Sequence, residues 1–234
     1  MDADAQAAPG VRVVVMAKAA VPGRVKTRLT RPGPGGEPAL TPEAAAAVHA
    51  AMLDCVLTRA RRVAGLWCQA PSLRLAMDDP AGAPASARGW EVVEQGGGPL
   101  GERMARVGGG GGAVFLGVDS PDCPHLAAAC AAASSPTAAV GPVGDGGYWT
   151  LAVPRPMPRL LEGIDWGSER VHAQTHAAAR AAGLPLVDLP PWHDVDDAAD
   201  LAALRGRLAG VDPAAEPELA RLREALADPR ASSV

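Results

Sequence analysis

The chain has 234 residues, of which 48% are hydrophobic, 21% charged and 3% aromatic. This length and composition allow one domain to bury its core without disulfides, and they exclude a chain that is mainly disordered. The formal net charge of −4 argues against a general nucleic-acid binder, which needs a broad basic surface.

The chain begins with a polar, acidic stretch, residues 1–10, which we predict to be disordered. The apolar run after it is far too short for a signal or a membrane-spanning segment, so we predict a cytoplasmic protein with no membrane partner. We predict one domain over residues 11–210, followed by a C-terminal helix and tail over residues 211–234. The cysteines lack Cys-x-x-Cys pairs and regular spacing, which predicts buried free thiols at Cys55, Cys68, Cys123 and Cys130.

Hydrophobic periodicity and capping residues predict the elements that follow. In chain order these are a strand at 11–15, a helix at 41–63, strands at 66–70, 73–77 and 90–93, a helix at 100–107, a strand at 113–118, a helix at 125–133, strands at 137–140 and 148–153, a helix at 168–182, a strand at 184–189, and helices at 198–208 and 214–226. Strands and helices that alternate at this spacing predict an α/β fold. Its sheet is expected to be mainly parallel, with helices on both faces and an antiparallel edge.

A basic loop follows the first strand. Five cations and no acid lie between residues 18 and 31, so the rest of the chain carries 17 cations against 26 acids. In open α/β sheets, ligands bind outside the carboxyl ends of the strands, which is where this loop is expected. Pro22 and Gly23 turn the backbone and expose amide donors. We therefore predict that the loop binds phosphate through Lys18, Arg24, Lys26 and Arg28.

Acidic residues follow the strand at 113–118 and lie near the end of the chain. Asp119 comes directly after that strand, where a carboxylate could hold Mg²⁺ or Mn²⁺ between two phosphates. Asp122 could share this role or cap the next helix. Four carboxylates lie within seven residues at 194–200, and the repulsion among them would be relieved by a metal. Asp196 is the proposed ligand there, although Asp196 or Asp197 could also be a helix cap.

Glycines flank a single acid in the segment 144–147. They allow the backbone to approach a ligand closely and leave Asp145 projecting from the loop, although Asp-Gly-Gly could equally form a plain hairpin turn. His172 and His176 are four residues apart on a predicted helix, but the residues between them include no Glu. The zinc-protease motif is therefore absent.

Taken in order, five motifs resemble one family, the radical-SAM/selenodomain-associated transferases, also described as arsenosugar-biosynthesis-type glycosyltransferases, within the nucleotide-diphospho-sugar transferase superfamily. The segments are Met16-Ala17-Lys18 with Pro22 to Leu29, Leu100-Gly101-Glu102-Arg103-Met104, Gly117 to Asp122, Asp145-Gly146-Gly147-Tyr148 and Asp194-Val195-Asp196. The resemblance covers roughly residues 11–204. It implies a glycosyltransferase-A type fold, a Rossmann-like three-layer fold with a mixed, mainly parallel sheet.

The resemblance also implies roles for individual residues. Metal binding falls to Asp119 and Asp196, with Mg²⁺ or Mn²⁺ as the cofactor, and catalysis to Asp119 and Asp145. Phosphate or nucleotide binding falls to Lys18, Arg24, Lys26, Arg28, Glu102, Arg103, Gly146 and Gly147.

Three functions remain open at this point. The first is metal-dependent glycosyl transfer from a nucleotide-activated sugar to a small-molecule acceptor. The second is nucleotidyl transfer from a nucleoside triphosphate with release of pyrophosphate, as in the guanylyltransferases of the same superfamily. The third is nucleotide binding without catalysis, in which a full set of metal carboxylates has no obvious use.

Overall fold

The structure is a computed structural model, and it describes residues 11–33, 39–67 and 71–227. Seven strands form one sheet: β1 (Arg12–Ala17), β2 (Ser72–Met77), β3 (Glu91–Glu94), β4 (Ala113–Leu116), β5 (Ala138–Pro142), β6 (Tyr148–Val153) and β7 (Leu186–Asp188). Six α-helices accompany them: α1 (Pro42–Trp67), α2 (Leu100–Gly108), α3 (Leu126–Ala133), α4 (Val171–Ala181), α5 (Ala198–Leu208) and α6 (Pro217–Ala227). The disorder predicted for residues 1–10 and the thiol of Cys68 lie outside the described residues.

The strand order is β3-β2-β1-β4-β6-β5-β7. Only β6 runs against the others, because it pairs antiparallel with both β4 and β5 while the remaining pairs are parallel. The predicted α/β fold with a mixed, mainly parallel sheet is confirmed. The predicted antiparallel edge is wrong, since β5 and β6 form a hairpin that inserts β6 inside the sheet, and the edges are β3 and β7.

The sheet is covered on both faces, as the apolar first strand predicts. Val13 and Val15 belong to one buried cluster, which includes side chains from α1, α3, α5 and α6. Val14 faces the opposite side and packs in a second cluster with residues of α2 and α4. Alternate residues of one strand therefore serve two cores, and the result is a three-layer arrangement of helices, sheet and helices.

One predicted strand is wrong in its first residues. The segment 66–70 was expected to be a strand, but Leu66 and Trp67 continue helix α1, and residues 68–70 lie outside the described part. Gly65 costs a helix only about 1 kcal/mol relative to alanine, which does not end a helix that already packs along most of its length.

The C-terminal helix α6 packs against α1. Leu219, Leu222 and Leu226 of α6 join the same buried cluster as residues of α1. Arg62 of α1 forms ion pairs with the partly exposed Glu216 and the buried Glu218, at 2.8 and 3.1 Å. Within the described ranges, no helix combines the length and the apolar character that a membrane crossing requires, and Cys55, Cys123 and Cys130 are buried free thiols as predicted.

Candidate active site

The connection order creates a crevice at one edge of the sheet. After β1 the chain moves outward through β2 to β3, and it then returns to place β4 on the other side of β1. Ligand sites in open α/β sheets lie where the strand order reverses in this way, outside the carboxyl ends of the strands. The basic loop after β1 and the Asp119 loop after β4 therefore meet at this edge. The start of β6 joins them there, because β6 runs in the opposite direction.

A cavity of about 500 Å³ occupies this crevice. Seven of the predicted site residues line it: Lys18, Arg24, Lys26, Arg28, Arg103, Asp119 and Asp196. His49, Gln95 and Tyr148 also line it, although they were not predicted as site residues. Neither Glu102, Asp145, Gly146 nor Gly147 is among the lining residues.

Lys26 holds the basic loop to the acidic segments. Its ammonium group contacts the Asp119 carboxylate and the Val195 carbonyl, and only 6% of its side chain is exposed. Its backbone has a left-handed φ of 47°, a conformation that costs a residue with a side chain roughly 1 kcal/mol or more. The contacts of its ammonium group offset that cost, so Lys26 serves as an anchor. Of the exposed cations of the loop, Lys18, Arg24 and Arg28 line the cavity.

Asp119 and Asp196 lie side by side although 77 residues separate them in the sequence. The Val195 amide donates to the Asp119 backbone carbonyl at 2.9 Å, which fixes the two loops to each other. Arg28 donates to the Asp196 carboxylate at 3.0 Å. The two predicted metal ligands therefore meet next to the basic loop.

Asp196 also belongs to a group of three carboxylates. Oxygen atoms of Asp145, Asp194 and Asp196 all lie within 4.8 Å of one another. Burial, followed by the charges of Asp196 and Asp145, raises the pKa of Asp194 to about 6. Burial also raises the pKa of Asp196, while Lys26 and Arg28 oppose the rise and Asp119 adds to it. Hard oxygen ligands that repel one another at this spacing suit a divalent cation.

Asp194 is the site residue that sequence reasoning missed. The segment before α5 is extended, and residues two apart in an extended chain point to the same side. The Asp-Val-Asp spacing alone could therefore have placed Asp194 beside Asp196. Asp197 proves to be the N-cap of α5, since its side chain accepts from the amides of Ala199 and Asp200.

The Asp145 loop is shaped by its glycines. Gly146 has a left-handed φ of 86°, and a β-carbon there would lie 2.0 Å from the Glu169 carbonyl oxygen. The Gly147 amide donates to the Asp145 carboxylate at 2.8 Å, which holds the acid toward the carboxylate group. Gly146 and Gly147 thus determine the loop conformation, while Glu102 is exposed on the first turn of α2.

Arg103 is the arginine that α2 adds to the cavity. Its guanidinium donates to Gln95 at 2.9 Å, and Gln95 donates to the Ala17 carbonyl at 3.2 Å. The Nε atom of Arg103 is buried and has no hydrogen-bond partner among the described residues. A buried donor without a partner is costly, and Arg103 also lines the cavity and brings its positive charge to it.

Asp122 is neither a metal ligand nor a helix cap. Its side chain is buried, accepts from Arg207 at 2.6 Å and accepts from the Trp192 indole at 3.1 Å. Both roles considered for Asp122 from the sequence are therefore wrong. The reason is that α5 and the 190–193 segment pack over the Asp119 loop and bring their own donors to this carboxylate.

We expect the cluster of three carboxylates, Asp145, Asp194 and Asp196, to make the metal-free protein less stable as the pH rises. The pKa of Asp194 in the folded chain, about 6, lies above the ordinary value of about 3.9. Its contribution to stability is therefore complete below about pH 4 and is lost as the pH rises through 6. Because Asp194 is partly exposed, we expect the loss to be only about 1 kcal/mol after allowing for solvent screening.

Thermal unfolding in the presence of a chelator measures this effect. At pH 7.5, Asp194→Asn should raise Tm by about 2–4 °C, and at about pH 3.5 the variant and the wild type should unfold together. If the variant and the wild type had the same Tm at pH 7.5 as well, this would show that these carboxylates do not repel one another.

Comparison with known proteins places the chain in a family. Residues 52–168, half of the chain, match the family described as an uncharacterized protein conserved in bacteria (DUF2064). No curated protein sequence matches the chain. Among solved structures, a "putative nucleotide-diphospho-sugar transferase" from Desulfovibrio desulfuricans G20 is 27% identical, with a TM-score of 0.69, over 96% of this chain and 99% of that one.

A second solved structure is a homolog of Mycobacterium tuberculosis rv0371c from Mycobacterium sp. strain JC1. It is 19% identical, with a TM-score of 0.44, over 82% of this chain and 94% of that one. The Desulfovibrio structure is similar over nearly the full length of both chains. Together with the mixed seven-stranded sheet, it confirms the predicted glycosyltransferase-A type fold.

Proposed function

The chain belongs to the DUF2064 family, and we propose that it is a metal-dependent glycosyltransferase that uses a nucleotide-activated sugar as donor. One observation carries this proposal: the cavity at the sheet edge joins exposed cations from the loop after β1 to carboxylates from two distant segments. The similarity to a structure described as a nucleotide-diphospho-sugar transferase supports the same class of donor.

The proposed reaction is the attack of an acceptor hydroxyl on the anomeric carbon of the sugar. The bond from that carbon to the nucleoside diphosphate breaks, and its electron pair stays on the diphosphate oxygen. The acceptor hydroxyl gives its proton to a carboxylate base, for which Asp145 is the candidate. Lys18, Arg24 and Arg28 bind the phosphate oxygens, and their fixed charge favours the leaving group as negative charge develops there. Arg103 also lines the cavity and adds its charge to the same anion.

The donor set fits a hard divalent cation. We propose Asp119 and Asp196 as its ligands, with Asp194 added because its carboxylate is next to that of Asp196. When bound, Mg²⁺ or Mn²⁺ would neutralise the diphosphate as it leaves. Lys26 keeps the Asp119 and Val195 segments together. We propose that Asp145, whose carboxylate lies next to those of Asp194 and Asp196, orients the sugar or the acceptor.

The narrower assignment, to the radical-SAM/selenodomain-associated or arsenosugar-biosynthesis-type transferases, is also proposed here. It rests on the motifs Met16 to Lys18 with Pro22 to Leu29, Leu100 to Met104, Gly117 to Asp122, Asp145 to Tyr148 and Asp194 to Asp196. Glu102, Gly146 and Gly147 keep a proposed supporting role in shaping the nucleotide site.

Product identification tests the proposed reaction. The purified protein is incubated with Mn²⁺ and a panel of sugar nucleotides and nucleoside triphosphates, with and without small hydroxyl compounds as acceptors. Glycosyl transfer, or slow hydrolysis when water is the acceptor, releases a nucleoside diphosphate. Release of pyrophosphate would instead establish nucleotidyl transfer, and Mn²⁺-dependent binding without turnover would establish a nucleotide-binding protein. A chelator and the Asp196→Asn variant are the controls.

Arg28 and Arg31 form a matched pair for the phosphate-binding role. Both are exposed cations of the same loop, but only Arg28 lines the cavity. A charge-assisted hydrogen bond contributes about 1.5–3 kcal/mol, so Arg28→Ala should weaken nucleoside diphosphate binding by roughly tenfold or more. Arg31→Ala should change it less than about twofold. Calorimetric titration in the presence of Mn²⁺ measures both, and equal losses would show that the loop acts only through its total charge.

A further inference from the structure

A second cluster of metal-type side chains lies apart from the cavity, between helix α4 and strand β7. His172 and His176 are one turn apart on α4, so they lie on the same face of the helix. Their rings meet edge to face, with centroids 4.7 Å apart. Both imidazoles direct Nε2 at one oxygen of Asp188, the last residue of β7, at 2.9 and 2.7 Å.

We propose that His172, His176 and Asp188 form a transition-metal site of the Zn²⁺ class. The three possible ligand atoms lie within 4.8 Å of one another. Two imidazoles and one carboxylate are a ligand set that Zn²⁺ takes in proteins, with a water molecule in the fourth position. None of the three residues lines the active-site cavity, so this site is separate from the carboxylates of the proposed sugar-nucleotide site.

The spacing of the three groups suits a small ion after a minor adjustment. With zinc–ligand distances of about 2.0–2.2 Å, the ligands of a tetrahedral site are about 3.3 Å apart. The present contacts are therefore a few tenths of an ångström too short for an ion between them. The two imidazole side chains are 26% and 23% exposed and Asp188 is 49% exposed, which leaves the side chains room to separate and gives an ion access from solvent.

The two sites are expected to bind different metal ions, because their ligands differ in chemistry. Imidazole ligands favour Zn²⁺, Cu²⁺ and Ni²⁺, whereas carboxylates alone favour Mg²⁺ and Mn²⁺.

The imidazole site is also connected directly to the loop that carries Asp145. The His172 amide donates to the Gly146 carbonyl at 2.8 Å, so an ion at this site would brace α4 against β7 and against the turn that carries Asp145.

Zn²⁺ titration of the full chain, purified without a polyhistidine tag, tests the site. An excess of Mg²⁺ is present throughout so that it occupies the carboxylates of Asp145, Asp194 and Asp196. We expect one Zn²⁺ per chain, and Co²⁺ in its place should give the visible absorption of a four- or five-coordinate ion. His172→Asn and His176→Asn should each weaken Zn²⁺ binding at least about tenfold, and Asp188→Asn should also weaken it.

His193→Asn is the matched control. His193 is also exposed, but it is not part of the cluster, so this variant should bind Zn²⁺ as the wild type does. Circular dichroism of each variant without metal checks that it folds. The proposal is overturned if the wild type binds no Zn²⁺ under excess Mg²⁺, if the two His variants bind it unchanged, or if binding is lost in Asp196→Asn instead.

Discussion

The Asp196→Asn variant should lose most of its activity, with kcat for nucleoside diphosphate release falling about 100- to 1,000-fold. Asp196 is the carboxylate that joins the basic loop to the acidic cluster, because it accepts from Arg28 and lies within 4.8 Å of the carboxylates of Asp145 and Asp194. Asparagine keeps the shape of the side chain but removes the charge that attracts a divalent cation. Steady-state kinetics at saturating Mn²⁺ with the donor identified from the product assay measures the effect.

Asp197→Asn is the matched control for this variant. Asp197 is the next residue in the chain, and its side chain caps helix α5 by accepting from two backbone amides. Asparagine caps helices about as well as aspartate, so this variant loses the same charge without losing the cap. We expect its kcat to remain within about threefold of the wild type. Equal losses in the two variants would mean that the segment contributes general negative charge and not a metal ligand.

The Lys26→Met variant should lose both stability and activity. Lys26 is almost buried and contacts the Asp119 carboxylate and the Val195 carbonyl. Methionine fills much of the same volume, but it removes the ion pair with the exposed Asp119 carboxylate and leaves the carbonyl of the buried Val195 without its donor. Loss of that donor costs about 1–3 kcal/mol. We expect Tm to fall by about 4–8 °C and kcat/KM for the donor to fall about 100-fold, as the basic loop and the two acidic segments separate.

Lys18 provides the control for Lys26. These are the two lysines of the chain, and both line the cavity, but Lys18 is exposed. Lys18→Met should therefore change the stability by less than about 0.5 kcal/mol while weakening nucleotide binding. If both variants unfold at the wild-type temperature, Lys26 does not anchor the loops.

Most of the site position could be predicted because it depends on local order in the sequence. An apolar strand followed directly by Lys18 and its loop, and another followed by Asp119, must end at the same sheet edge if the strands are parallel. The extended Asp194 to Asp196 segment could be recognised as acidic but not located. Its position depends on two long-range hydrogen bonds. The Val195 amide donates to the Asp119 carbonyl, and the Trp192 amide donates to the Pro142 carbonyl.

The features that could not be predicted are the contacts between segments that are far apart in the sequence. The hairpin turn at Asp145 predicts that β5 and β6 pair, but it does not say that β6 lies between β5 and β4. In the same way, the spacing of His172 and His176 places them on one helix face without indicating that Asp188 faces them. Asp122 was interpreted as a possible ligand because the sequence does not show its actual partner, Arg207, which is 85 residues away.

The position of Mn²⁺ tests the central claim most directly. Crystals of the protein grown with Mn²⁺ and a nucleoside diphosphate would show the ion through its anomalous scattering. We expect one strong peak in contact with the Asp196 carboxylate, with the diphosphate oxygens on its other side facing Arg28. A nucleotide bound away from the loop at residues 18–31, or a Mn²⁺ peak that touches neither Asp119, Asp194 nor Asp196, would contradict the proposed transferase site.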